Sequence, residues 1–173
     1  MMNIVEIKQA LENPILLVDT REHDTSDLRL RLETIGWQVE RKALCFGDYS
    51  IKVGDRCFDG EIAIERKMSI DEICGNFGTN RNRFCREFER AKAAGARVYI
   101  LIENGSYEKI IRHQYRSRLN ENALLASVLA FMARYDCRVI FCKKDTAPML
   151  IKNILYREAK ERLENDAEEL QEL

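Results

Sequence analysis

The sequence predicts an α/β domain with a central mixed β-sheet flanked by helices, and three observations carry that prediction. The chain has 173 residues, the length of one ordinary domain with room for a real core. Its first half holds short runs of alternating apolar and polar residues separated by Gly and Asp, the period-two pattern of strands. Its second half alternates short apolar runs with longer helical patterns, an order that packs helices against a sheet.

Taken in chain order, residues 15–19 (ILLVD) follow Pro14 and read as a buried strand, and residues 27–36 (DLRLRLETIG) read as a helix closed by Gly36. Residues 37–42 (WQVERK) and 48–53 (DYSIKV) alternate as strands. Residues 54–60, with Gly54, Asp59 and Gly60, form a turn region placed near 56–58, and residues 61–67 (EIAIERK) return as the second arm of a hairpin. Ser69 followed by Glu72 is a capping-box pattern, so a short helix starts there. Residues 81–95 (RNRFCREFERAKAAG) predict a longer helix closed by Gly95. A strand at 97–103, a helix from about 122 to 134, a strand at 137–142 and a charged helix from about Thr146 onward complete the chain.

Several classes are disfavoured by composition. The longest apolar stretch, around Asn122 to Ala133, is far shorter than a membrane span, and the N-terminus lacks the basic-then-apolar pattern of a signal peptide. A soluble cytoplasmic protein is expected, or one placed in the nucleoid or nucleus with DNA. The six cysteines form no CxxC pair and have no clustered histidines beside them, so they are expected to be reduced, small apolar residues rather than zinc ligands or disulfides. His23 and His113 have no companion ligands.

Charge is unevenly spread. The net charge is −5 over residues 1–75, +6 over 76–118 and −2 over 119–173. A basic segment beside an acidic one suits a polyanion that is bound and then brought to carboxylates, although a solvated helix face has the same composition.

Side chains alternate across a strand, so Ala63, Glu65 and Lys67 share one face while Ile62, Ile64 and Arg66 share the other. With the hairpin closed, Asp48 falls within about a residue of Glu65 across the ladder. Two carboxylates this close repel each other unless a cation neutralises them, and a hard divalent cation such as Mg²⁺ does so with one or two protein carboxylates. Lys67 then stands beside a site suited to phosphodiester hydrolysis. An ordinary cross-strand ion pair has the same spacing. Asp19 and Glu22, at the carboxyl end of the first strand, where open α/β sheets bind ligands, add acids that favour the pocket.

The segments VDTRE (18–22), GDYSI (47–51), IERKMSID (64–71) and RNRF (81–84) have the order and approximate spacing of the XPF-type nuclease domain, whose signature is GD, a variable gap, then ERKxxxD. Over about residues 15–145 the chain resembles that family. The resemblance implies a restriction-endonuclease-like core and a Mg²⁺- or Mn²⁺-dependent endonuclease that cuts branched DNA such as flaps, forks and 3′ overhangs. It implies that Asp48, Glu65 and Glu22 are metal ligands, that Lys67 is the catalytic lysine, and that Asp19, Arg66 and Asp71 complete the catalytic set. For Asp71 a structural role is open as well, because a carboxylate in the first turn of a helix is favoured by the helix dipole. Arg66 has an equally open structural role as an ion-pair partner.

Arg83 resembles the family arginine near the scissile phosphate. Arg81, Arg86 and Arg90, together with Arg116 in RHQYRSR (112–118), are candidate DNA contacts, since arginines about one turn apart reach successive phosphates without reading sequence. The expected division is a nuclease domain at 1–145 and a packing or dimerisation helix at 146–173, whose stripe is Tyr156, Ala159, Leu163, Ala167, Leu170 and Leu173. Members of this family append helix-hairpin-helix domains, and none is expected within these 173 residues. Residues 122–135 are apolar around more of their circumference than one core contact requires, which predicts a homodimer. Competing readings are a restriction- or resolvase-type nuclease and a catalytically silent DNA-binding partner of another nuclease.

Overall fold

The computed structural model describes residues 3–169. Strands β1 (Ile15–Asp19), β2 (Gln38–Lys42), β3 (Tyr49–Val53), β4 (Arg56–Cys57), β5 (Ile62–Lys67), β6 (Arg97–Glu103) and β7 (Arg138–Cys142) form one sheet in the order β2-β1-β3-β5-β6-β7, with β4 paired to β3. β1 is parallel to β2 and antiparallel to β3, β3 is antiparallel to β5, and β5, β6 and β7 are parallel. The carboxyl ends of β1, β5 and β6 therefore lie at the same edge as the start of β3. That edge carries Asp19, Asp48, Lys67 and Glu103.

Helices cover both faces. α1 (Ile4–Ala10), α2 (Ser26–Ile35) and α7 (Ala147–Glu169) pack on one side, where Leu16, Val18, Ile51, Ile62 and Ile64 point. α3 (Ile70–Phe77), α4 (Arg81–Ala93), α5 (Tyr107–Ile111) and α6 (Glu121–Tyr135) pack on the other, around Ala63, Val98, Ile100 and Ile102. A strand covered on both faces has no solvated positions, which is why Ile62, Ala63 and Ile64 form an unbroken apolar run. Ile151, Leu155, Ala159, Leu163 and Ala167 lay α7 into the first core at four-residue spacing, with Tyr156 beside them. Leu170 and Leu173 lie outside the described residues.

In the second core, Phe84 stacks on Phe131 with ring centroids 5.2 Å apart, and Phe77 meets Phe131 edge-on at 4.8 Å. This aromatic block fixes α3 and α4 against α6. It also floors the acidic edge of the sheet, since the Lys67 ammonium lies 5.6 Å from the Phe84 ring centre.

Local departures from the sequence reading have local causes. The hairpin does not turn at 56–58: the chain turns at Gly54 and Asp55, β4 folds back on β3 with Cys57 opposite Lys52, and a second turn leads into β5. Ser69 caps α3 by accepting the Glu72 N–H at 3.3 Å, but the Glu72 carboxylate reaches back to the N–H of Met68 at 2.7 Å rather than to that of Ser69. α1 and α5 were not predicted; each buries one apolar side chain, Ile7 and Ile110, and so shows no period. All six cysteines are free, Cys74 and Cys137 buried as expected, but Cys45 is exposed. On α6, Leu124, Val128, Phe131 and Tyr135 face the core while Leu129 is 49% exposed on the opposite side.

Candidate active site

Pairing of Tyr49 with Ile64 in an antiparallel register places Asp48 directly opposite Glu65. Three hydrogen bonds hold Asp48 there. Its N–H donates to the Ile64 carbonyl at 2.8 Å, its own carbonyl accepts the Asp19 N–H at 2.9 Å, and its Oδ2 accepts the Arg66 N–H at 2.7 Å. Glu65 Oε1 accepts from Lys67 Nζ at 2.5 Å, on the face away from Arg66. Arg21, Glu22, Asp48, Glu65, Lys67, Arg83 and Glu87 line a polar cavity of about 240 Å³ floored by Phe84. A second cavity of about 430 Å³, walled by His23, Thr25, Met68 and Glu72, also reaches Glu22, Asp48 and Lys67. The acid pair thus sits where two hollows meet.

The bend into β3 needs glycine. Gly47 has φ +62°, and a Cβ built there would lie 2.8 Å from the Ile64 carbonyl oxygen. Gly47→Ala is therefore expected to destabilise the fold by about 1–3 kcal/mol and to shift Asp48 from its register, so that any cleavage falls with the urea midpoint rather than independently of it.

Burial, followed by the neighbouring Glu65 and Glu22 carboxylates, pushes the Asp48 carboxyl well above the usual range. Burial also raises Glu65, with Glu87 adding to it and Lys67 opposing. Burial works against the Lys67 charge, yet the Glu65 carboxylate beside it raises its pKa, so the ammonium persists at neutral pH. The carboxylates lack sufficient positive charge as the side chains stand. Among the described residues, no group of three or more His, Cys, Asp or Glu side chains is placed to hold a metal ion. The donors available are hard carboxylate oxygens whose repulsion a cation would relieve, and such a set fits Mg²⁺ or Mn²⁺, which keeps several waters and takes few protein ligands.

The predicted site residues divide into groups. Asp48, Glu65, Lys67, Glu22 and Arg83 are brought together around the cavity. Glu22 Oε2 also accepts from the Tyr49 hydroxyl at 3.1 Å. Asp19 is buried and already engaged: it accepts from the Arg21 N–H at 2.8 Å, Arg21 Nε at 2.6 Å and the Leu44 N–H at 2.9 Å, and so organises the loop after β1. These bonds hold its pKa below the ordinary value although burial acts to raise it. Arg66 turns its guanidinium to the far face, donating Nε and Nη2 to Glu103 at 2.6 and 2.9 Å, and contributes its backbone N–H to Asp48.

Asp71 accepts the N–H groups of Arg116 and Ser117 at 2.8 and 2.6 Å, which ties the basic 112–118 loop to the start of α3. Arg116 itself has a side chain 92% exposed. Arg86 and Arg90 are exposed along α4, while Arg81 spans inward to Ser127 Oγ at 3.2 Å and so fastens α4 to α6.

Sequence reasoning missed Glu87, Glu103, Arg31 and Tyr49. Arg31 donates to the Tyr49 hydroxyl at 2.8 Å and lies 3.9 Å from Glu103, completing a buried chain from Glu103 through Arg31 and Tyr49 to Glu22. Glu103 could have been found, because it ends a predicted central strand as Asp19 does. Glu87 carried a fainter signal, an acid three residues after Phe84 on the helix of arginines.

The ERCC4 domain family matches residues 18–154. No curated protein matches the chain. Among solved structures, XPF from Aeropyrum pernix is 24% identical with a TM-score of 0.61, over 90% of this chain and 69% of that one. XPF from Aeropyrum pernix in complex with DNA is also 24% identical, with a TM-score of 0.62 over 87% of this chain and 66% of that one. At that identity the likeness is one of fold, a restriction-endonuclease-like mixed sheet between helices.

Proposed function

The chain belongs to the ERCC4 domain family, an XPF-type nuclease domain, and on that premise we propose that it is a metal-dependent, structure-selective endonuclease acting on branched DNA. The observation that carries the proposal is the pairing of Asp48 with Glu65, with the Lys67 ammonium 2.5 Å from Glu65 and Glu22 and Arg83 in the same cavity. Asp48 and Glu65, with Glu22 beside them, would hold Mg²⁺ or Mn²⁺, which when bound would polarise the phosphodiester and acidify a water. Lys67 presents a fixed positive charge where negative charge grows on the phosphate. Arg83 at the cavity and the exposed Arg86, Arg90 and Arg116 supply contacts to the phosphate backbone, which give affinity without sequence preference. Asp71 acts by presenting the loop that bears Arg116. A second copy packs on the apolar face of α6 around Leu129, making a homodimer. We place its role in DNA repair or recombination.

The test is a cleavage assay on flap, fork, 3′-overhang, four-way-junction and plain duplex DNA, with and without Mg²⁺ or Mn²⁺. Cutting near single/double-strand junctions that requires the metal is the expected result. Intact branched substrates at protein excess with Mn²⁺ would sink the proposal, and preferred cutting of plain duplex would move it to a restriction-type activity. Sedimentation of the same preparation reads the assembly.

A further inference from the structure

Glu87 stands on α4, between the buried Phe84 and Phe88, and none of the motif residues explains it. Its Oε1 accepts the Gly47 N–H at 3.1 Å across forty residues of sequence, and its side chain lines the same cavity as Asp48, Glu65 and Glu22. Gly47 is the positive-φ residue immediately before Asp48. The carboxylate therefore grips the turn that aims Asp48. It also brings a fourth carboxylate to a cavity lined by three cations, of which Lys67 pairs with Glu65, Arg21 pairs with Asp19 and Arg83 is the third.

The geometry points to Glu87 as a positioning residue for cation binding: it fixes Asp48 through the Gly47 amide, and its charge strengthens the field that draws a divalent cation to the Asp48–Glu65 pair. The two contributions separate chemically. A glutamine at 87 still offers an oxygen to the Gly47 N–H and lacks the charge; an alanine offers neither. Supporting carboxylates of this kind, which hold a ligand rather than coordinate the ion, typically change metal affinity by about 10- to 100-fold when altered.

This inference rests on the metal-dependent reading above, and the measurement keeps the two apart. Mn²⁺ is titrated into the wild-type chain, Glu87→Gln, Glu87→Ala and Asp48→Asn, with free Mn²⁺ followed by electron paramagnetic resonance and each metal-free protein melted in parallel. Glu87→Gln is expected to melt like wild type and to bind Mn²⁺ about 10-fold more weakly. Glu87→Ala is expected to bind at least as weakly and to melt lower, because the Gly47 amide loses its acceptor. Glu87→Gln binding Mn²⁺ as tightly as wild type, while Asp48→Asn binds it weakly, overturns the role of Glu87 and leaves the metal site standing. Asp48→Asn binding as tightly as wild type overturns the metal site itself and this inference with it.

Discussion

Lys67→Ala is expected to slow cleavage of branched DNA by about 10²- to 10³-fold while leaving DNA affinity within roughly twofold of wild type, the loss seen when one fixed donor to a developing negative charge is removed. The position of the ammonium is over-determined. It is held by Glu65 at 2.5 Å, lies 3.9 Å from Glu72 and sits above the Phe84 ring, with its side chain 8% exposed. A group so enclosed and still charged costs stability for no packing reason that a leucine would not serve better. Single-turnover rates at saturating protein, beside a binding curve in Ca²⁺, separate the two quantities. A wild-type rate in the variant would remove Lys67 from the chemistry.

Glu103→Ala is expected to cost about 3–5 kcal/mol of folding stability although it lies outside the motif, because it leaves two buried guanidiniums without their counter-charge. Arg66 gives Glu103 two short bonds and Arg31 approaches at 3.9 Å, with Arg66 and Arg31 side chains 10% and 5% exposed. The measurement is the urea midpoint at unchanged slope, in metal-free buffer. A shift under about 1 kcal/mol would show that water enters and solvates the arginines. Arg66 is thus held as an ion-pair partner of Glu103, with its guanidinium away from the Asp48–Glu65 pair.

The alternation of Ile62 to Lys67 was enough to place Glu65 with Lys67 and to turn Arg66 away, since strand geometry admits one arrangement. The pairing of Asp48 with Glu65 was legible for the same reason, even with the turn misplaced: the extra pairing of β4 lies beyond the acid pair and leaves its register untouched. What remained hidden depends on tertiary approach. Glu87 meets Gly47 only once α4 docks on the sheet, and nothing local to either segment announces the contact. Asp71 shows the converse. Its place in the first turn of α3 suggested a helix-dipole role, yet the carboxylate reaches 45 residues along the chain to a loop whose five-residue helix α5 was itself unreadable.

Asp48 is knitted by backbone hydrogen bonds to Asp19 on one side and Ile64 on the other, so its neighbours in the sheet are separated by most of the first third of the chain. A one-residue slip of the β3–β5 pairing would send Glu65 and Lys67 to the face opposite Asp48. The acid pair on which the proposed cutting depends therefore exists only where β1, β3 and β5 are paired in register. For the proposed nuclease, the register of three strands is the safety catch.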